Sequence, residues 1–218
     1  GDCMKVTFVS NYINHHQIPV SNEMYAQLGE NYRFVQTEPM EAERVEMGWG
    51  DAVKEIPYLL CYYEEPEICK KLILDSDVVI FGGVEDESYI APRLEQGLFT
   101  IRYSERIYKE GQWKRISPRG LIKKYKDHIR YRNRDVYLLC SGGYVADDFN
   151  LIGAYPDKMM KWGYFPETYQ YNLDELFAKK EKNDVPIVLW VGRMIELKHP
   201  EYAIHMAEQL KKQGKKFK

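Results

Sequence analysis

The sequence predicts an α/β fold built on a doubly wound, mainly parallel sheet. Three observations carry this expectation. Short apolar, β-branched runs such as KVTFV (Lys5–Val9) and DVVIF (Asp77–Phe81) alternate with helix-like segments, the pattern of strands joined by helical crossovers. Several of these runs are continuously apolar, as strands covered on both faces are. Asn-Gly and Asp-Gly dipeptides are absent from the chain, so tight antiparallel hairpins are not signalled.

The elements follow in order. After the first strand, Lys5–Val9, comes the polar loop Ser10–Val20. Ser21 suits the N-cap of a helix over Asn22–Leu28, and Gly29 suits its stop. Arg33–Thr37 reads as the second strand and Tyr58–Tyr62 as the third, beyond an irregular stretch around Trp49. Pro66–Leu74 reads as a helix, and Asp77–Phe81 as a strand closed by Gly82 and Gly83. A helix over Tyr89–Glu95, stopped by Gly97, leads to the strand Phe99–Tyr103. Arg119–Arg134 is a basic helix, Val136–Cys140 a strand, Ser141–Gly143 a turn, Tyr144–Ile152 a helix and Lys158–Lys161 a short strand.

Gly163–Asp184, with Pro166 and a charged run, breaks this rhythm and reads as a linker holding one short helix. Pro186–Val191 is again a continuous apolar strand, ended by Gly192, and a helix follows from Pro200 to about Gln213. One βα unit cannot bury both faces of its strand. The expected organisation is therefore a Rossmann-like domain over 1–162, a linker over 163–184, and the first strand and helix of a second α/β domain over 185–218.

With 218 residues, 44% of them hydrophobic, and a formal net charge of −2, the chain suits a soluble globular protein of one or two domains without a general attraction for nucleic acid. No apolar run approaches the roughly 20 residues that cross a bilayer, and no basic segment followed by a long apolar one opens the chain. Cys3, Cys61, Cys69 and Cys140 make no C-x-x-C pair, which argues against zinc and dithiol chemistry. Cys61 and Cys140 lie in apolar strand-like runs and read as inert core thiols, and a reducing, cytoplasmic setting is the simplest account of the four.

Chemistry is expected at the carboxyl ends of the strands, where open α/β sheets bind ligands. The loop after the first strand offers Asn11, Asn14, His15 and His16; a later strand end offers Glu105 and Arg106; the SGGY turn offers Ser141. Each has a plainer alternative: a solvated histidine pair, a structural ion pair for Arg106, a tight turn at Ser141. No third ligand lies near the two histidines, so metal binding is not expected. Lys114–Arg134 holds nine Lys/Arg and one acid, Asp127, with Ile122, Tyr125 and Ile129 as an apolar stripe. Two expectations compete there, a surface helix packed on the sheet through that stripe and a peripheral contact with anionic lipid.

The strand, glycine turn and helix start around Gly192 read either as a plain βα unit with two solvated cations or as an anion site, because free backbone N–H groups and the helix dipole converge there. Arg193 and Lys198 add two cations beside it, suited to neutralising a departing diphosphate. At these residues the run VLWVGRMIELKHPE resembles the start of the C-terminal domain of family 4 glycosyltransferases of the GT-B fold. The run KMMKWGYFPE (Lys158–Glu167) is similar to that family's interdomain hinge segment. The resemblance implies a retaining, nucleotide-sugar-dependent transferase, with Arg193 and Lys198 on the donor diphosphate, a glycan or lipid-linked saccharide as acceptor, and no metal or other cofactor. Two departures stand out: His199 replaces the usual glycine after the lysine, and the first loop lacks the paired glycines. The family's Glu-x7-Glu catalytic pair would lie beyond Lys218, so no catalytic residue is expected within the chain and the fragment alone is expected to be inactive. A protein acting at the inner face of a membrane fits this resemblance. Competing expectations are a nucleotide-sugar epimerase-like enzyme and a non-enzymatic two-lobed binding protein. An NAD-dependent enzyme is disfavoured, since Ser10–Gln17 contains no glycine.

Overall fold

The computed structural model describes residues 4–46, 48, 56–109, 111, 113 and 116–218. Cys3, Trp49, Lys114 and Arg115 lie outside the described residues. Two units are present, Gly1–Glu167 and Thr168–Lys218.

The first unit contains a seven-stranded sheet made of β1 (Val6–Ser10), β2 (Tyr32–Gln36), β3 (Leu59–Cys61), β4 (Val78–Phe81), β5 (Thr100–Ser104), β6 (Val136–Ser141) and β7 (Met159–Trp162). The strands lie in the order β3-β2-β1-β4-β5-β6-β7, and every neighbouring pair is parallel. Helices α1 (Ile18–Leu28), α2 (Ala42–Glu46), α3 (Pro66–Asp75), α4 (Ala91–Gln96), α5 (Pro118–Asp127) and α6 (Val145–Leu151) lie between the strands in sequence. The chain first steps outward from β1 to β3, then returns beside β1 at β4 and continues to the other edge. This is the doubly wound parallel fold that the alternating pattern predicts. Crossover loops diverge between β1 and β4, which leaves a crevice at the carboxyl ends of the strands.

Alternate strand residues feed two cores, as the period of two requires. On one face Phe8, Phe34 and Ile80 pack with Ile18, Tyr25 and Leu28 of α1. On the other, Val9, Val35, Val79 and Leu138 pack with Ile73 of α3, Leu94 of α4 and Phe149 of α6. Arg93 is the largest fully buried side chain among the described residues, 1% exposed. Its guanidinium donates to the carbonyls of Ile73 (2.8 Å) and Leu74 (3.3 Å) at the end of α3, and to those of Asp77 (3.3 Å) and Phe99 (2.6 Å). It thereby satisfies helix-end acceptors that would otherwise be orphaned.

Boundaries differ from the sequence reading where tertiary contacts decide. The first helix begins at Ile18, with Pro19 in its first turn, a position suited to the fixed φ of proline. Ser21 is thus inside the helix and accepts a hydrogen bond from the Tyr32 hydroxyl at 2.8 Å instead of capping. The basic helix ends at Asp127, and a short 3-10 turn over Ile129–Tyr131 follows. Its apolar stripe is divided: Ile129 packs against the core, whereas Ile122 and Tyr125 are 58% and 56% exposed.

The second unit holds α7 (Leu173–Glu181) and α8 (Pro200–Lys212). The apolar run Pro186–Val191 is not buried; Leu189 and Val191 are 81% and 82% exposed. Its ladder consists of two bonds, from Val188 N–H to the Lys218 carbonyl (2.8 Å) and from Lys218 N–H to the Pro186 carbonyl (3.0 Å). These are the slanted bonds of a parallel pair centred on Ile187.

Candidate functional site

A cleft of about 560 Å³ opens at the carboxyl end of the sheet in the first unit, within the size range of small-molecule sites. Ser10, Ser104, Ser141 and Trp162, the last residues of β1, β5, β6 and β7, line it. The loop after β1 contributes Asn11, Asn14, His16 and Gln17. The segments after β5 and β7 contribute Glu105 and Lys109, and Tyr164 and Phe165.

Tyr103 organises one wall. Its hydroxyl lies 2.8 Å from Ser10 Oγ, and Gln17 Nε2 donates to both, at 3.0 Å and 3.2 Å. Burial pushes the Tyr103 phenol up to about 12, so it is a neutral hydroxyl at physiological pH. The wall depends on the glycine pair that ends β4. A Cβ on Gly82 would lie 2.4 Å from the Tyr103 carbonyl oxygen and 2.5 Å from its ring. Gly83 has φ +72°, and a Cβ there would lie 2.9 Å from Ser10 Oγ. Only glycine lets backbone and ring approach this closely.

The loop after β1 is shaped by Asn14. Its side chain accepts the His16 N–H at 3.0 Å, and its carbonyl accepts from Gln17 and Ile18 N–H, an Asx turn that launches α1. The His16 ring packs at a tilt against those of His15 (centroids 3.9 Å apart) and Tyr164 (4.7 Å). Burial, then the adjacent His15, lowers His16 below the ordinary histidine value, so the neutral imidazole prevails at pH 7. Both His16 Nδ1 and Gln17 Oε1 are buried without a hydrogen-bond partner. Such orphaned atoms in a cleft mark places for a ligand's polar groups. Across from them, Phe165 N–H donates to the His16 carbonyl at 3.2 Å, and the Tyr164 hydroxyl donates to Glu105 Oε1. These contacts fold the Gly163–Phe165 segment back over the cleft, where Trp162 and Phe165 stand edge to face with centroids 4.7 Å apart.

Among the residues singled out from sequence, Asn11, Asn14, His16, Glu105 and Ser141 thus share one cleft. His15 is exposed, does not line the cleft, and packs its ring against that of His16. Arg106 turns away, with Nε and Nη2 on the two oxygens of buried Asp148 at 3.1 Å and 2.9 Å. Asp148 also accepts the Tyr108 N–H, so this is the structural ion pair. Gly192, Arg193 and Lys198 belong to the second unit and are exposed. Lys198 ends a 3-10 turn, and His199 follows with φ 48° before α8 begins at Pro200. The sequence reading missed Gln17, Tyr103, Trp162, Tyr164 and Phe165. The signal was present for the last three, since aromatic residues directly after an edge strand sit at the carboxyl rim. Among the described residues no three His, Cys, Asp or Glu side chains cluster to hold a metal ion. Nor, among the described residues, is any helix long and apolar enough to cross a membrane.

No family model matches the chain, and no curated protein matches it either.

Proposed function

We propose that this chain is part of a retaining glycosyltransferase that uses a nucleotide-sugar donor, and that the cleft in the first unit receives a saccharide acceptor. The observation that carries this reading is the cleft's chemistry. The aromatic side chains of Trp162, Tyr164 and Phe165 and the amides of Asn11, Asn14 and Gln17 line the cleft together. Sugars present apolar C–H faces and a rim of hydroxyls, so they need such rings together with two-way hydrogen-bonding groups. Neutral His16 and the Glu105 carboxylate accept hydroxyl protons in the same cleft.

Arg193, Lys198 and the N–H groups opening α8 hold the donor diphosphate in the second unit, neutralising the charge that grows as the sugar departs. The left-handed backbone of His199 supports this reading. It occupies the position where the resembled family carries glycine, a residue free to adopt that conformation. The exposed Leu121, Ile122 and Tyr125 beside Arg119 and Lys126 on α5 favour a peripheral contact with anionic lipid, which suits a lipid-linked acceptor at the cytoplasmic face of a membrane.

Saturation-transfer NMR with a panel of nucleotide sugars and free oligosaccharides tests the proposal. Oligosaccharide signals are expected to vanish in Trp162→Ala. Nucleotide-sugar affinity is expected to fall about tenfold or more in Arg193→Ala and Lys198→Ala, as loss of charge-assisted bonds to phosphate does. Absence of saturation from every saccharide, or nucleotide-sugar binding unchanged in both cation variants, overturns it.

A further inference from the structure

A second cavity, of about 320 Å³, adjoins the cleft; Gly83, Glu85, Tyr103 and Ser104 line both. Its character is different. Where the cleft offers rings and amides, this cavity is lined by Arg102, Glu87, Lys123, Lys124, Asp127 and His128. Arg102 rises from β5 and is only 5% exposed. It donates to Glu87 Oε1 and to the Asp127 carbonyl, and its guanidinium lies 5.6 Å from the Phe81 ring centroid. Lys123 pairs with Asp127 at 2.9 Å.

Two valences are left over once these pairs are made. Glu87 Oε2 is buried and accepts no hydrogen bond. Lys124 lines the cavity and forms no ion pair among the described residues. Burial, and then the neighbouring Lys123 and Arg102 cations, hold Lys124 below the ordinary lysine value against the pull of Asp127. An anion seated here relieves that situation, and a hydroxyl beside the anion supplies the proton that Glu87 Oε2 lacks.

We infer that this cavity is a subsite for an acidic sugar unit, one carrying a carboxylate or phosphate ester next to a free hydroxyl. The anion meets Lys124, and the hydroxyl donates to Glu87 Oε2. The inference rests on the reading of the adjoining cleft as a saccharide site, and it narrows the acceptor to an anionic glycan.

The test uses three oligosaccharides that differ only at C6 of one unit: a hydroxymethyl group, a carboxylate or a phosphate ester. Titration calorimetry with the whole chain is expected to show an acidic ligand binding about tenfold or more tightly than the neutral one, the scale of one charge-assisted contact. Whichever acid binds more tightly identifies the source of the anion. Lys124→Gln is expected to erase the preference, the acidic ligands then binding no more tightly than the neutral one. Neutral and acidic ligands binding equally, or a preference that survives Lys124→Gln, overturns the inference and leaves the saccharide reading standing. Failure of all three to bind overturns both.

Discussion

Replacing Gly82 with alanine tests how the end of β4 builds the cleft wall. The added methyl would lie 2.4 Å from the Tyr103 carbonyl oxygen and 2.5 Å and 2.6 Å from two ring carbons. The carbonyl belongs to β5, whose Tyr103 is paired with Leu139 of β6, so backbone must move as well as side chain. Overpacking of this kind costs up to roughly 3 kcal/mol. Stiffening of the unfolded chain returns about 0.4–1 kcal/mol, for a net loss of about 2 kcal/mol. At a chain of this size that lowers the melting temperature by roughly 4–8 °C. Gly163→Ala is the control, because nothing lies within 4 Å of a Cβ there and its φ is not positive. Thermal melts followed by circular dichroism compare the two. The Gly82 variant should melt well below the control and lose saccharide binding, since the displaced Tyr103 ring releases Ser10 and Gln17. A Gly82→Ala protein as stable as Gly163→Ala would refute the close approach.

Arg93→Leu should destabilise the first unit by about 3 kcal/mol, because four carbonyls, buried or partly buried, lose a charged donor; a urea midpoint like that of the wild type contradicts this. His128 is buried against Arg102, Lys124 and Lys123, and burial chiefly drives its pKa well below the ordinary value. Above about pH 6.5 the ring is neutral folded and unfolded; below it the unfolded state takes the proton first, so stability falls by up to ~1.4 kcal/mol per pH unit. His128→Gln should flatten that slope in urea melts between pH 7.5 and 5.5, and an unchanged slope assigns the acid lability elsewhere. Co-sedimentation with phosphatidylglycerol vesicles should occur, fade in salt and be lost in Ile122→Asp; binding to neutral vesicles alone removes α5 from the contact.

The sheet was legible from sequence because each buried strand leaves a contiguous local trace. KVTFV and DVVIF fall within one residue of β1 and β4. The starts at Pro66 and Pro200 were legible too, but the start of the first helix was not. Ser21 has the chemistry of a cap, but the Tyr32 hydroxyl, distant in sequence, claims its oxygen. The run Pro186–Val191 reads as a buried strand, yet burial needs neighbouring strands, and only Lys218 pairs with it among the described residues. The cleft was half legible. Asn11, Asn14, His16, Glu105 and Ser141 follow from the rule that ligands meet strand carboxyl ends. Tyr103 and Gln17 do not, because their roles arise from a network joining β1, α1 and β5 that no local pattern encodes. Partners distant in sequence also decide the arginines. Between the two readings open for Arg106, the structural ion pair holds, with Asp148 42 positions away, while Arg102, in β5 and not singled out from sequence, lines the charged cavity.

The central claim is that the cleft at the carboxyl end of the sheet receives a saccharide. Two-dimensional ¹H–¹⁵N spectra of the chain, titrated with an oligosaccharide, test it most directly. The account predicts saturable shifts of the Trp162 indole N–H, the Gln17 side-chain amide and the backbone amides of Asn11–Gln17, with the Trp190 indole unmoved. Saccharide-dependent shifts confined to other residues, with the Trp162 indole and the Asn11–Gln17 amides unmoved, would contradict it.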